Sequence, residues 1–244
     1  MGNGSSRVSA TPLADFVNFE ELSGPDNQFL LDHGKTSFLI DYKKMKGKTV
    51  ITPEGASKAP FSALEYRIEN FGTARAIEFT YKLAGAKNHE YTEYTRGLYH
   101  RIHKATAGAI EQVTCLRTGR KYTVVSPKGL TYRGPGKDSI YVLDQTTKSE
   151  VLRMKLYFSG KVEIFAVLGS PPDARIGLDN VLLTLIGVMK MSVNPFHHAR
   201  STLVLCGGVD AALVTTLVSL AHDEVHAAKM VVGAYGPGGG GVFG

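Results

Sequence analysis

The chain has no tryptophan and only two cysteines, Cys115 and Cys206, in 244 residues. Two thiols so far apart in sequence exclude the disulfide framework that staples small secreted domains. Both read as buried thiols in a reducing compartment, where a free cysteine behaves as a small apolar side chain. No stretch reaches the 18 or so consecutive apolar residues that predict a membrane-crossing helix. The N-terminus, MGNGSSRVSAT, lacks the apolar core of a secretory leader. The expectation is a cytoplasmic protein that does not span a membrane.

Catalytic signatures are missing as well. Gly119-Arg120-Lys121 lacks the rest of a P-loop, and no G-x-S-x-G elbow occurs. The glycines at 236–241 sit in a terminal run, not between a strand and a helix, so they do not predict a phosphate cradle. His222 and His226 are four apart, but H-D-E-V-H is not H-E-x-x-H, and no third ligand is placed beside them. They read as polar residues at a helix end, and His100, His103, His197 and His198 as surface or turn residues. The expectation is no enzyme, no cofactor and no metal. A mouth site for a metal or small ligand is the contrary reading, which metal analysis of purified protein decides.

What is present begins with a stretch near the end, Cys206 to Lys229, CGGVDAALVTTLVSLAHDEVHAAK. Between Asp210 and His222 it carries no charge, and every face of a helix drawn there is apolar or small. A surface helix keeps a polar face, and this one is too short to cross a bilayer. It therefore belongs inside the protein, enclosed on all sides. Asp210 is placed to cap its N-terminus, where a carboxylate also suits the helix dipole. Gly207-Gly208 supplies the sharp turn into it, and the helix is predicted over about 209–227.

Upstream, the chain reads mostly as short strands separated by turn signals. Phe29 to Ile40, Thr49 to Thr52, Leu64 to Ile68 and Ala76 to Leu83 come first, the last with strict apolar–polar alternation. Glu111 to Leu116 and Lys121 to Val125 follow across an Arg117–Arg120 turn. Ser139 to Leu143, Val151 to Phe158, Lys161 to Leu168, Asn180 to Met191 and Ser201 to Leu205 complete the series. Ser159-Gly160 reads as a tight hairpin turn. Tyr91 to Ala109 is open between a long loop and a short helix. A dozen or so strands make a barrel too wide for its own side chains to fill. An all-apolar helix is a dry plug for it. The predicted fold is mainly β: a closed antiparallel barrel of about 12 strands around a central C-terminal helix. Its domain runs from 27 to 230, after an N-terminal arm (1–26) and before a glycine-rich tail (231–244).

Gly208-Val209-Asp210-Ala211-Ala212-Leu213-Val214, then Leu217-Val218-Ser219-Leu220 and Asp223-Glu224-Val225, resembles the C-terminal signature of the LURP-one-related proteins. The likeness covers about Thr202 to His226; upstream it is one of strand pattern. The chain departs from the family at Gly207, where Pro is usual, in its lack of tryptophan, and in the segment from Tyr91 to Ala109, which looks like an insertion. The resemblance implies the tubby-like fold, a 12-stranded barrel threaded by a hydrophobic helix. It also implies binding rather than catalysis. Tubby domains bind phosphoinositides through basic residues outside the barrel, and the similar phospholipid scramblases are lipid-anchored.

The charge pattern fits that implication. Net charge is +6, which favours anionic partners. Lys43, Lys44, Lys46 and Lys48 cluster in one turn; Arg117, Arg120 and Lys121 cluster in another. Both are candidates for acidic phospholipid or phosphoinositide headgroups, each cation contributing about 1 kcal/mol near an acidic leaflet. Taken alone, either cluster reads first as a solvated loop. Gly2 with Ser6 matches the myristoylation pattern M-G-x-x-x-[ST]. One acyl chain binds marginally, so the basic clusters would supply the second signal. A third group, Arg96, Arg101 and Lys104 with nearby tyrosines, could suit single-stranded nucleic acid, but no RNA-binding motif accompanies it, which argues against that partner. The expectation is a monomeric peripheral membrane adaptor on the inner face of the plasma membrane. The alternative is a structural or protein-interaction protein with no lipid role.

Overall fold

The structure is a computed structural model describing residues 11–18, 30–43, 48–54, 61–71, 74–83, 100–104, 110–115, 120–125, 138–157, 160–170, 181–191, 200–211, 213–215 and 217–218. It is mainly β. Twelve strands follow one another: β1 (Lys35–Lys43), β2 (Lys48–Pro53), β3 (Phe61–Phe71), β4 (Ala74–Leu83), β5 (His100–Lys104) and β6 (Ile110–Cys115), then β7 (Lys121–Val125), β8 (Asp138–Asp144), β9 (Glu150–Leu156), β10 (Lys161–Leu168), β11 (Leu182–Met191) and β12 (Arg200–Cys206). Their order in the sheet is β4-β3-β2-β1-β12-β11-β10-β9-β8-β7-β6-β5. Every described ladder is antiparallel, and each joins sequential strands except that between β1 and β12.

The described ladders leave the sheet open between β4 and β5, whereas a closed barrel was expected. These two end strands nonetheless approach each other, with Cα atoms within 8 Å. Counting the alternating directions through the ladders makes them antiparallel to one another.

The alternation of side chains across each strand sorts the sheet into two faces. Phe38 and Ile40 of β1, Ile51 of β2, Tyr122 and Val124 of β7, Met154 of β9, Ile164 of β10 and Leu203 of β12 are all buried in one apolar cluster. Val209, Ala211, Leu213, Val214, Leu217 and Val218 belong to the same cluster. The helical residues 211, 213–215 and 217–218 are thus buried without exception. At about 100° per residue they cover a little over half of the helix circumference. Burying a Leu or Val side chain contributes about 1.5–3 kcal/mol, so the sheet and the helix stabilise one another. The predicted end of this helix, after 218, lies outside the described residues.

Its start is built as the sequence suggests. The Asp210 carboxylate Oδ1 accepts a hydrogen bond from the Leu213 amide (2.9 Å), and the Asp210 carbonyl accepts from the Val214 amide (2.9 Å). The turn before it is clamped from two sides. Val17 N–H donates to the Gly207 carbonyl (3.0 Å), and Gly207 N–H donates to that of Asp15 (3.1 Å). On the other flank Gly208 N–H donates to the Leu31 carbonyl (2.9 Å), and Leu31 N–H to that of Val209 (3.0 Å). A Cβ at Gly207 would collide with the Asp32 carbonyl oxygen, and one at Gly208 with that of Val17. Gly208 also has φ +83°, a conformation that other residues rarely adopt. Residues 14–17, which the sequence places in the N-terminal arm, are therefore pinned to the base of the sheet, and Val17 is buried.

One segment differs from expectation. Part of Tyr91–Ala109, read as loop or helix, forms strand β5, paired with β6 from His100↔Cys115 to Lys104↔Glu111. His-Arg-Ile-His-Lys carries little local β signal; its ladder partner supplies what propensity does not.

Candidate functional site

Strand polarity fixes which end of the sheet each candidate residue occupies. β1 runs toward the end where Lys43 lies, and Lys43 pairs with Lys48 across the hairpin. Lys44 and Lys46 lie in 44–47, outside the described residues.

The second cluster sits at the opposite end. Following the ladders from β1 through β12 to β7 puts Lys121 at the end where β1 begins. The two clusters are thus about a strand length apart, ~27 Å for the eight steps of β1. Arg117 and Gly2 lie outside the described residues. Lys121 is exposed. Arg120 is engaged: its Nε donates to Asp144 Oδ2 at 2.5 Å, and its guanidinium lies 5.9 Å from the centre of the Tyr122 ring. The Asp144 side chain is fully buried and also accepts from the Thr146 amide (2.6 Å) and the Thr147 amide (3.3 Å). Removing Arg120 would leave that carboxylate with less compensation for its burial, so Arg120 is a structural cation first.

Two further polar groups occupy the outer face of β8 to β10. Arg153 donates twice to the Glu150 carboxylate (2.7 and 3.0 Å); both are buried, with the guanidinium 5.5 Å from the Tyr141 ring centre. Nearer the Lys43 end, Tyr157 Oη donates to Glu163 Oε2 (2.5 Å) and Lys161 Nζ to Glu163 Oε1 (2.6 Å). Burial, and then the Glu163 carboxylate, push the Tyr157 phenol up to about 12. Burial works to raise Glu163, but its hydrogen bonds from Lys161 and Tyr157, with Lys155 nearby, outweigh it and hold the carboxyl below its ordinary value. The free thiol of Cys206 is pushed up to about 11 by burial, with the Asp15 carboxylate adding to the shift. It is poorly suited to act as a nucleophile, which must be a thiolate.

Among the described residues no group of three or more His, Cys, Asp or Glu is placed to hold a metal, and no helix is long and apolar enough to cross a membrane. His222 and His226 lie outside the described residues.

Sequence reasoning passed over two cations. Lys190 and Arg200 are exposed and stand on neighbouring strands at the Lys43 end. The available signal was alternation: Lys190 lies between buried Met189 and Met191, and Arg200 precedes buried Ser201.

Comparison with protein-family models, with curated proteins and with solved structures returned no match.

Proposed function

We propose that the protein is a non-enzymatic, tubby-like module of the LURP-one-related kind, acting as a peripheral membrane adaptor that binds acidic lipids or phosphoinositides. In this reading the sheet closes at the β4–β5 seam into a barrel, with the helix after Asp210 as its plug. One observation carries it: the last strand turns through Gly207-Gly208-Val209-Asp210 into a capped helix whose described residues are all buried in the cluster that lines the sheet. The nearness and antiparallel sense of β4 and β5 support closure. Myristoylation at Gly2 would add an acyl anchor, and exposed cations on the sheet supply the electrostatic half of membrane binding. The test is sedimentation with phosphoinositide-containing vesicles, with and without N-myristoylation. Co-sedimentation that weakens with salt supports the reading; no binding in either form removes it.

A second reading, an interaction protein with no lipid role, is favoured by exposed Leu182 and by Phe16, which is 40% exposed and stacked on His33. A Gly2→Ala variant that keeps its cellular location, together with indifference to vesicles, selects that reading.

A further inference from the structure

Resting on the lipid-docking reading above, we propose that the protein meets an anionic bilayer end-on, through a rim of cations drawn from five adjacent strands. Lys48 is the first residue of β2 and Lys43 the last of β1; Arg200 is the first of β12, Lys190 the last but one of β11, and Lys161 the first of β10. These strands lie side by side in that order.

The register makes the rim continuous. Lys43 stands opposite Lys48, and Lys161 opposite Lys190. Arg200 stands opposite Asp41, and Met191 opposite Ser201, so Arg200 is a diagonal neighbour of both Lys43 and Lys190. Direct partners are about 5 Å apart and diagonal ones about 7–8 Å. Lys161, Lys190 and Arg200 have the parity opposite to the core residues Val162, Met189 and Leu203, so these three share the outer face. On these strands at this end the acids are Asp41 and Glu163, and Glu163 is engaged by Lys161. Neither Lys190 nor Arg200 forms an ion pair among the described residues.

The other end of the same strands differs. Lys35 there is held by Asp15 at 3.2 Å, and Asp32 and Glu54 are exposed. Charge is thus segregated along the strands, and a surface of anions would orient the molecule with the Lys43 end toward it. Four of the five rim groups are lysines, compact point charges.

The experiment compares the full chain with Lys190→Glu/Arg200→Glu and with Lys121→Glu at the far end. The probes are phosphatidylcholine vesicles with and without phosphatidylserine, and a single-stranded oligonucleotide. Both substituted sites are exposed, and unchanged circular dichroism and melting check that the variants fold. Binding to the phosphatidylserine vesicles should fall at least about tenfold in the double variant and stay near that of the parent chain in Lys121→Glu. Loss in Lys121→Glu with binding kept in the double variant would overturn the end-on assignment while leaving lipid docking intact. Parent chain that ignores the acidic vesicles would remove the docking reading itself, and binding to the oligonucleotide alone would replace it with another partner.

Discussion

Gly208→Ala tests the clamp at the base of the sheet. The added methyl would sit in a left-handed conformation, costing about 1–2 kcal/mol for an L-residue. It would also overlap the Val17 carbonyl oxygen, which is backbone and cannot rotate aside. Relief requires residues 14–17 to move away. That gives up the two hydrogen bonds between this segment and Gly207, at about 1 kcal/mol each, and the burial of Val17, roughly 1.5–3 kcal/mol. Together the loss is about 4.5–7 kcal/mol, a large part of the 5–15 kcal/mol typical of a folded domain. Urea denaturation reads the stability, and limited proteolysis near Asp15 reads the position of the segment. Val17→Ala should be less damaging in the Gly208→Ala background than alone, because the contact is already lost. Unchanged stability with an unchanged proteolytic pattern would refute the reasoning.

The remaining expectations concern the helix and the outer face. Leu217→Asp should yield no soluble, protease-resistant protein: losing the Leu side chain alone costs about 2–5 kcal/mol, and the carboxylate has no partner in the apolar cluster. Asp210→Ala should lower stability by about 1 kcal/mol through loss of the cap, and Asp210→Asn should restore most of it, as read by chemical denaturation. The Tyr157 phenol is raised above its ordinary 10.0, so the folded state holds that proton more tightly. Its contribution is complete below pH 10 and is lost as pH climbs toward 12. Glu163 is lowered below 4.5, so its contribution is present above that value and is lost as pH falls through its folded value. Glu163→Gln should flatten both limbs of a melting-temperature profile; identical profiles for the two proteins would contradict this.

The start of the helix was legible because its sequence is apolar on every side, and no surface can host that; its predicted run beyond 218 lies outside the described residues. Asp210 was legible because a carboxylate before such a run has one obvious use. The strands with β-branched alternation were legible for the same local reason. Strand β5 was not, since Ile102 is its one apolar side chain, and its pairing with β6 is a property of the sheet. That omission has a geometric cost. Turns of a meander alternate between the two ends, so a reading that lacks β5 places the Arg120 turn at the Lys43 end. Counting β5 moves it to the far end and separates the two basic clusters. Nor did sequence predict that Arg120 would be held by a buried Asp144, because nothing local says which end of β8 lies beside it. Closure of the barrel was the boldest expectation; the described ladders reach from β4 round to β5 and stop there.

Pairing β1 with β12 has a consequence for how the molecule is made. The first strand waits, edge exposed, until the ten strands that separate it from its mate have left the ribosome. Contacts between such distant parts of a sequence slow folding and leave a bare edge open to wrong partners in the interval. A chain cut short before Arg200 would keep that edge for good, so early termination should produce aggregates, not a smaller working protein.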